Sequence, residues 1–180
     1  MDDRLLVENI LNGDKTALES LFNDHRHKVY RICLGYVQDR ADAEDLTQEV
    51  FIKVMQNIGQ FKGQSKLSSW ICRIAINLSL NFLRDHKKRL FQTDLSEADS
   101  LISEEQEISR LQINKSLRKA IQKLPERQKM VFILSQSLDM SYAEIAETAG
   151  ISISSVESLL FRARKNLRQI LIQQTDEYLS

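Results

Sequence analysis

Apolar residues recur every three or four positions over most of the chain, and this spacing is typical of amphipathic helices. In the first third of the sequence the pattern predicts three helices, over about residues 5–13, 17–36 and 41–58. The first would end near Gly13 and the third near Gly59. With one proline and five glycines, the chain contains few helix breakers. Long helices with short connections are therefore favoured over a sheet, and we predict an all-α fold.

A fourth helix is predicted after a loop. The segment Phe61 to Ser69 contains Gly63 and three serines, which indicates a loop. From Trp70 to Phe82 the apolar positions resume the helical spacing. The predicted helix is strongly apolar and ends in a basic patch.

An acidic stretch divides the sequence into two parts. Residues 93–107 contain serines and carboxylates but few large apolar residues, which indicates an exposed, flexible linker. Helical periodicity resumes after it, and Pro125 suits the first turn of a further helix. We therefore expect two small helical domains, over residues 1–92 and 108–180.

The chain carries 25 basic and 25 acidic residues, so its net charge gives no indication of a nucleic-acid partner. The distribution is more informative, because two basic patches flank the acidic stretch. They consist of Arg84, Lys87, Lys88 and Arg89, and of Arg162, Arg164, Lys165 and Arg168. Taken alone, such a patch is more often a solvated face than a nucleic-acid site.

The sequence favours a cytoplasmic protein. Cys33 and Cys72 lie far apart within apolar helical patterns, so reduced thiols are expected. No apolar run approaches the ~20 residues that span a bilayer, and the N-terminus lacks the layout of a signal peptide. The three histidines have no metal-ligand spacing around them. We expect no membrane insertion, no metal and no cofactor.

The most informative local motif covers residues 142–160. Two apolar, helically spaced halves flank Gly150, which can adopt the left-handed conformation that ends a helix. Ala146 is small where two helices would cross, while Ile151 and Val156 would fill the angle between them. This is the layout of a helix-turn-helix. An ordinary helical hairpin would also fit, but the basic run that follows favours DNA binding.

The second helix of this motif, with Ser152 as its N-cap, would present its polar face to the major groove. We predict that three cations contact phosphates: Arg162, Arg164 and Lys165. Four further residues lie where base edges or thymine methyl groups could be read: Ser154, Ser155, Ser158 and Phe161.

Four blocks of sequence stand in a characteristic order: Asp42–Val54, Phe61–Gly63 with Trp70–Asn77, Leu124–Arg127 and Ser141–Ala146. Together they resemble bacterial sigma factors of the extracytoplasmic-function (ECF) group, and the resemblance extends from about Leu6 to Leu171. It implies a promoter-specificity subunit, not an enzyme, that binds RNA polymerase core through the β′ clamp and the β subunit. Such a subunit recognises the minus-35 and minus-10 promoter elements and helps to open the duplex. Its region 2 and region 4 would be the two predicted domains.

The resemblance also implies roles for individual residues. The polar face of the third helix would dock on the β′ clamp coiled coil through Asp45, Gln48 and Glu49. Without the resemblance, the same face could equally be solvated. The loop and fourth helix resemble the element that captures the minus-10 non-template strand and a flipped base. Contributors there are Lys62, Lys66, Arg73, Asn77 and Arg84. Trp70 could stack on a base, but its spacing favours a core role.

Two positions depart from the family pattern, and alternatives remain. Glu157 and Leu159 stand where the family's recognition helix commonly carries basic residues, so the minus-35 preference is expected to be unusual.

An anti-sigma factor is a further candidate partner. The alternative to a sigma factor is a helix-turn-helix repressor or activator that binds duplex DNA without polymerase. A helical enzyme is disfavoured, because no nucleophile with a base or phosphate-cradling loop is found.

Overall fold

The computed structural model describes residues 2–92, 116–138 and 140–178, without the side chains of 87–92, 137 and 174–178, and every regular element in these ranges is a helix. The predicted all-α fold is thus confirmed. The predicted linker, residues 93–107, lies outside the described residues.

The helices are α1 (Asp3–Leu11), α2 (Lys15–Val37), α3 (Arg40–Asn57) with a 3-10 turn (Ile58–Gln60), α4 (Leu67–Gln92), α5 (116–122), α6 (Glu126–Leu138), α7 (Tyr142–Ala149) and α8 (Ile153–Tyr178). Among the described helices, none combines the length and the hydropathy that a membrane-spanning segment requires.

The first three helices begin at aspartates whose carboxylates accept backbone N–H groups of the first turn. Asp14 accepts from Thr16 at 2.8 Å, and Asp39 accepts from Asp42 at 3.0 Å. These bonds satisfy donors that have no partner within the helix. Gln38 adopts a left-handed conformation at φ 61° between α2 and α3, so the chain turns there without a glycine.

The start of α4 differs from the sequence prediction. The loop was expected to extend to Ser69, but α4 begins at Leu67. Its backbone N–H donates to the Asp3 carboxylate at 2.7 Å. A cap supplied from 64 positions away leaves no local signal, and this explains the difference.

The first half of the chain is a bundle of α2, α3 and α4, on which α1 and the 3-10 turn pack. Its core contains fully buried side chains, among them Val29, Ile32, Val50, Val54, Ile71 and Ala75. Cys33 and Cys72 are also buried and unpaired. Burial raises the pKa of the Cys72 thiol to about 11.

The second half contains the predicted helix-turn-helix. Gly150 ends α7 in the left-handed conformation at φ 66°, and Val156 and Leu160 on α8 are buried behind it. The Ser152 hydroxyl accepts the Ser155 N–H at 3.2 Å, as expected of an N-cap. The α7–α8 unit therefore confirms the motif.

The two halves are not separate in this structure, because α6 packs on α2 and α7 packs on α4. Buried residues of both halves form one continuous apolar cluster. At the α2–α6 contact a Cβ atom on Gly35 would lie 2.9 Å from Cγ2 of Ile133. The absence of a side chain on Gly35 therefore allows the close approach of these helices.

Candidate nucleic-acid and partner interfaces

One exposed stripe runs along α3. Asp45, Gln48 and Glu49 are all exposed and lie on one face, since residues three and four apart are neighbours on a helix. The stripe continues with Ile52, which is 56% exposed, and Met55, which is 38% exposed. We call these five residues the α3 face. The sequence prediction missed its apolar end, although the continued spacing of three and four was a signal for it.

The predicted minus-10 residues lie together along α4. Arg73, Asn77 and Arg84 are separated by four and seven positions, which places them on one side of α4, and Lys66 directly precedes the first turn of this helix. We call these four residues the α4 face. Asn77 and Arg84 are exposed, as is Lys62 in the preceding loop.

Trp70 borders the α4 face, and its indole is half-buried. Its ring centroid lies 5.7 Å from that of Phe61, and the side chain packs against the apolar core. This position agrees with the core role that its spacing favoured.

The N-terminal part of the α4 face contacts α7. The Arg73 guanidinium donates to the backbone carbonyl of Glu147 at 2.8 Å and to that of Thr148 at 3.1 Å. The Lys66 N–H donates to the Glu147 carboxylate at 2.8 Å. The second half of the chain therefore engages the predicted DNA-binding side chain of Arg73 and the backbone N–H of Lys66, whereas the Lys66 side chain is exposed. No local sequence pattern predicts these contacts.

The polar side of α8 is open. Phe161 is 71% exposed, the most of any large apolar residue described. The other predicted minus-35 residues that are exposed are Ser154, Ser158, Arg162, Arg164 and Lys165. Ser154, Ser158, Phe161 and Lys165 form one stripe with spacing four, three and four. We call this stripe, together with Arg162, the α8 face.

Two predicted minus-35 residues, Ser155 and Arg164, and the neighbouring Leu159 do not belong to the α8 face. Ser155 is half-buried, and its hydroxyl lies 2.8 Å from that of the N-cap, Ser152. Leu159 is half-buried and packs on the core. Arg164 lies about 200° around the helix from Arg162, so the two arginines flank the stripe on opposite sides.

A capping box fixes the start of α7. The Ser141 hydroxyl accepts the Glu144 N–H at 3.3 Å, and the Glu144 carboxylate accepts the Ser141 N–H at 2.9 Å. The Ser141 hydroxyl also donates to that carboxylate, and these bonds hold the pKa of Glu144 below its ordinary value.

Replacement of this carboxylate, Glu144→Ala, is expected to lower the free energy of unfolding at pH 7 by about 1 kcal/mol, because a cap is lost. A lowered pKa in the folded state means that the stabilisation is present above the unfolded pKa and disappears as the pH falls through the folded pKa. The difference from wild type should therefore shrink in urea unfolding near pH 3. Glu157→Ala, an exposed change on α8, is the control. An equal difference at both pH values would contradict this role.

Comparison with known protein families identifies both halves of the chain. The sequence model described as Sigma-70 region 2 matches residues 21–89, and the model described as Sigma-70 region 4 matches residues 114–167.

Relatives of similar length match along the whole chain. The RNA polymerase sigma-H factor of Pseudomonas aeruginosa is 31% identical over 180 residues, covering 94% of this chain and 93% of its own. The ECF RNA polymerase sigma-E factor of Escherichia coli K12 is 31% identical over 176 residues, covering 92% of each chain.

Two solved structures share the fold. CnrH in complex with the cytosolic domain of CnrY has a TM-score of 0.68 at 21% identity and covers 95% of this chain and 97% of its own. The sigma factor RpoE of Bartonella quintana, in complex with the anti-sigma factor NepR, has a TM-score of 0.65 at 21% identity. The match covers 86% of this chain and 96% of RpoE.

A repressor or activator would account for the helix-turn-helix alone, whereas both sigma regions match here in their expected order. The match to full-length relatives extends over more than nine-tenths of the sequence. The chain belongs to the ECF group of the sigma-70 family, the promoter-recognising subunits of transcription initiation.

Proposed function

We propose that three separate helical faces divide the work of this sigma factor. The α3 face binds the β′ clamp of RNA polymerase core, the α4 face with Lys62 binds the minus-10 strand, and the α8 face with Ser155 and Arg164 binds the minus-35 element. The observation that carries the proposal is the alignment of Arg73, Asn77 and Arg84 along one side of α4, with Lys66 directly before its first turn. Region 2 would then be residues 1–92, the linker 93–107 and region 4 residues 108–180.

The α3 face suits a partner helix. Its carboxylates, on Asp45 and Glu49, can pair with basic side chains, while Ile52 and Met55 supply apolar contact at the other end. An interface of this composition gains affinity from apolar burial and orientation from charge.

The α4 face suits an unpaired strand. The Asn77 amide can both donate to and accept from the edge of a flipped base, and the cations Lys62, Lys66, Arg73 and Arg84 suit its phosphates. The free energy of strand binding opposes base pairing. We infer that the protein opens promoter DNA by binding alone, without a catalytic step of its own.

The α8 face suits duplex DNA. Arg162, Arg164 and Lys165 would contact phosphates and make binding dependent on salt. Phe161 can pack on a thymine methyl group, and Glu157 can accept from a cytosine amino group. Glu157 would also repel phosphate whatever the sequence, so only its contact with a cytosine amino group would favour particular minus-35 sequences.

Partners and location follow from the same proposal. The protein would act in the cytoplasm with RNA polymerase core, including the β subunit, and promoter DNA. CnrH and RpoE were each solved in complex with another protein, an anti-sigma factor in the case of RpoE. We infer that an anti-sigma factor is a further partner of this chain.

Run-off transcription with purified core polymerase and a genomic promoter pool tests the division of work. Asn77→Ala and Arg162→Ala are each expected to reduce specific transcripts about tenfold, the effect of losing about 1.4 kcal/mol of DNA contact. Asn77→Ala should impair duplex opening, detected by permanganate, whereas Arg162→Ala should impair duplex binding.

Asn23→Ala and Arg26→Ala, exposed changes of the same types on α2, are the controls and should leave transcription unchanged. Normal transcription by Asn77→Ala and Arg162→Ala would refute the assigned roles of the α4 and α8 faces.

A further inference from the structure

The short helix α1 contacts the chain on both sides of the loop that precedes α4. This loop, residues 61–66, joins the 3-10 turn to α4. At one end of α1, Cδ2 of Leu11 lies 3.7 Å from the place that a Cβ atom on Gly59 would occupy. At the other end, the Asp3 carboxylate accepts the Leu67 N–H at 2.7 Å. One helix therefore bridges the residues before and after the loop.

The middle of the loop also contacts α1. Gly63 has a φ of 65°, and a Cβ atom on it would lie 2.6 Å from Nε of Arg4 and 3.3 Å from its Cζ. The Arg4 guanidinium therefore lies against the backbone of the loop, in space that a side chain at position 63 would fill. Glycine at this position permits both the left-handed conformation and the close approach of α1.

The position of α1 is set by the core of the bundle. Leu6, Val7 and Ile10 are each no more than 7% exposed and belong to the apolar cluster. The Asp2 carboxylate accepts the Arg4 N–H at 3.2 Å at the start of the helix. A helix of nine residues is marginal by itself in water, so these contacts hold it in place. Because it is anchored on the bundle, α1 can act as a rigid support about 12 Å long.

The loop presents polar side chains on its outer side. Lys62, Gln64 and Lys66 are exposed, whereas the residues between them are half-buried. A hydrogen bond to a base edge weakens steeply when its angle changes, whereas a cation attracts a phosphate over a range of positions. The conformation of the loop should therefore influence which base is preferred more than it influences the total affinity for a strand.

We propose that Asp3 and Arg4 are positioning residues for base selection in the minus-10 strand. Asp3 fixes the residue at which α4 begins, and Arg4 fixes the loop at Gly63. Neither side chain has to touch DNA, because each acts through the conformation of the 61–66 loop. This inference rests on the proposed minus-10 role of Lys62 and the α4 face.

The test uses the full-length chain bound to RNA polymerase core. Selection from a random pool of single-stranded 12-mers identifies the position at which the wild type has its strongest base preference. Four fluorescein-labelled 12-mers that differ only at that position then give dissociation constants by anisotropy. The ratio between the poorest and the best base, here called the selectivity ratio, isolates base reading, because the four strands carry the same phosphates.

Asp3→Ala should lower the selectivity ratio at least about fivefold, the lower end of what one well-placed base contact contributes. The mean affinity for the four strands should change less than about twofold, because the cations that face the phosphates remain. Asp3→Asn should keep the wild-type ratio, since its amide oxygen can still accept the Leu67 N–H. Arg4→Ala should lower the ratio in the same direction while leaving this cap intact.

Matched controls separate positioning from stability and charge. Asp39→Ala removes a cap of the same kind at the start of α3, which lies about 27 Å along this helix from the end that leads into the loop. It should lose similar stability but keep the selectivity ratio. Arg26→Ala removes an exposed cation from α2 and should also keep the ratio. Circular dichroism at the assay temperature confirms that each variant is folded.

The possible failures are distinguishable. Unchanged selectivity ratios in Asp3→Ala and Arg4→Ala would overturn the positioning role and leave the proposed function standing. An equal loss of selectivity in Asp39→Ala would also overturn it, because the effect would then follow from stability alone. A wild-type complex with no base preference at any position of the 12-mer would overturn the proposed reading of the minus-10 strand and this inference with it.

Discussion

Reversal of both carboxylates of the α3 face, Asp45→Arg with Glu49→Arg, is expected to weaken binding to RNA polymerase core at least about 100-fold, because like charges placed opposite each other in an interface cost several kcal/mol. Both side chains are exposed, so the fold should be unaffected. The dissociation constant for core, measured by fluorescence anisotropy with labelled sigma factor, checks this directly.

A matched double reversal separates a specific interface from a general effect of charge. Glu8→Arg with Glu19→Arg changes the net charge by the same amount at exposed positions on α1 and α2. It should bind core as wild type does, apart from a modest change in association rate. Equal weakening by the two double variants would refute a defined docking site on α3.

The second large effect is expected inside α7. Ile145→Ala should lower the free energy of unfolding by about 2–4 kcal/mol, the usual range for truncating a fully buried isoleucine. Ile145 is 0% exposed, and its short helix packs on α4, α6 and α8. Loss of this anchor should also reduce minus-35 binding, because α7 supports α8, the helix that we propose enters the major groove.

Urea unfolding at pH 7 measures the change in the free energy of unfolding. Ile145→Val should cost only about 0.5–1.5 kcal/mol. Ile153→Ala, on a side chain that is 49% exposed, should cost less than about 0.5 kcal/mol beyond its effect on helix propensity. Similar losses for Ile145→Ala and Ile153→Ala would show that the burial of Ile145 does not anchor α7.

Local sequence patterns were sufficient to predict most helices. Spacings of three and four identified the helices of the first half, and Gly150 with Ser152 identified the turn of the helix-turn-helix, because glycine and an N-cap serine act within a few residues. The start of α4 could not be predicted with the same accuracy. Its cap comes from Asp3, which is distant in sequence.

The site residues were predicted in part. The roles of the α8 residues were predicted from the helix-turn-helix motif and the basic run that follows it, whereas those of the α4 residues were predicted from the family resemblance. The contact between the halves could not be predicted, since Gly35 is informative only once Ile133 is known to face it. Arg73 likewise reads as a free cation until α7 is placed beside it. Such contacts depend on tertiary geometry that no local pattern encodes.

The burial of both cysteines has a consequence for chemical signalling. The chain contains two thiols, and burial raises the pKa of each, so the reactive thiolate is scarce at neutral pH. Peroxide or a disulfide reagent can attack only a thiolate that it can reach. Direct oxidation of these two thiols in the folded protein is therefore disfavoured, and an oxidative signal that acts through a cysteine would have to act on the cysteine of another molecule.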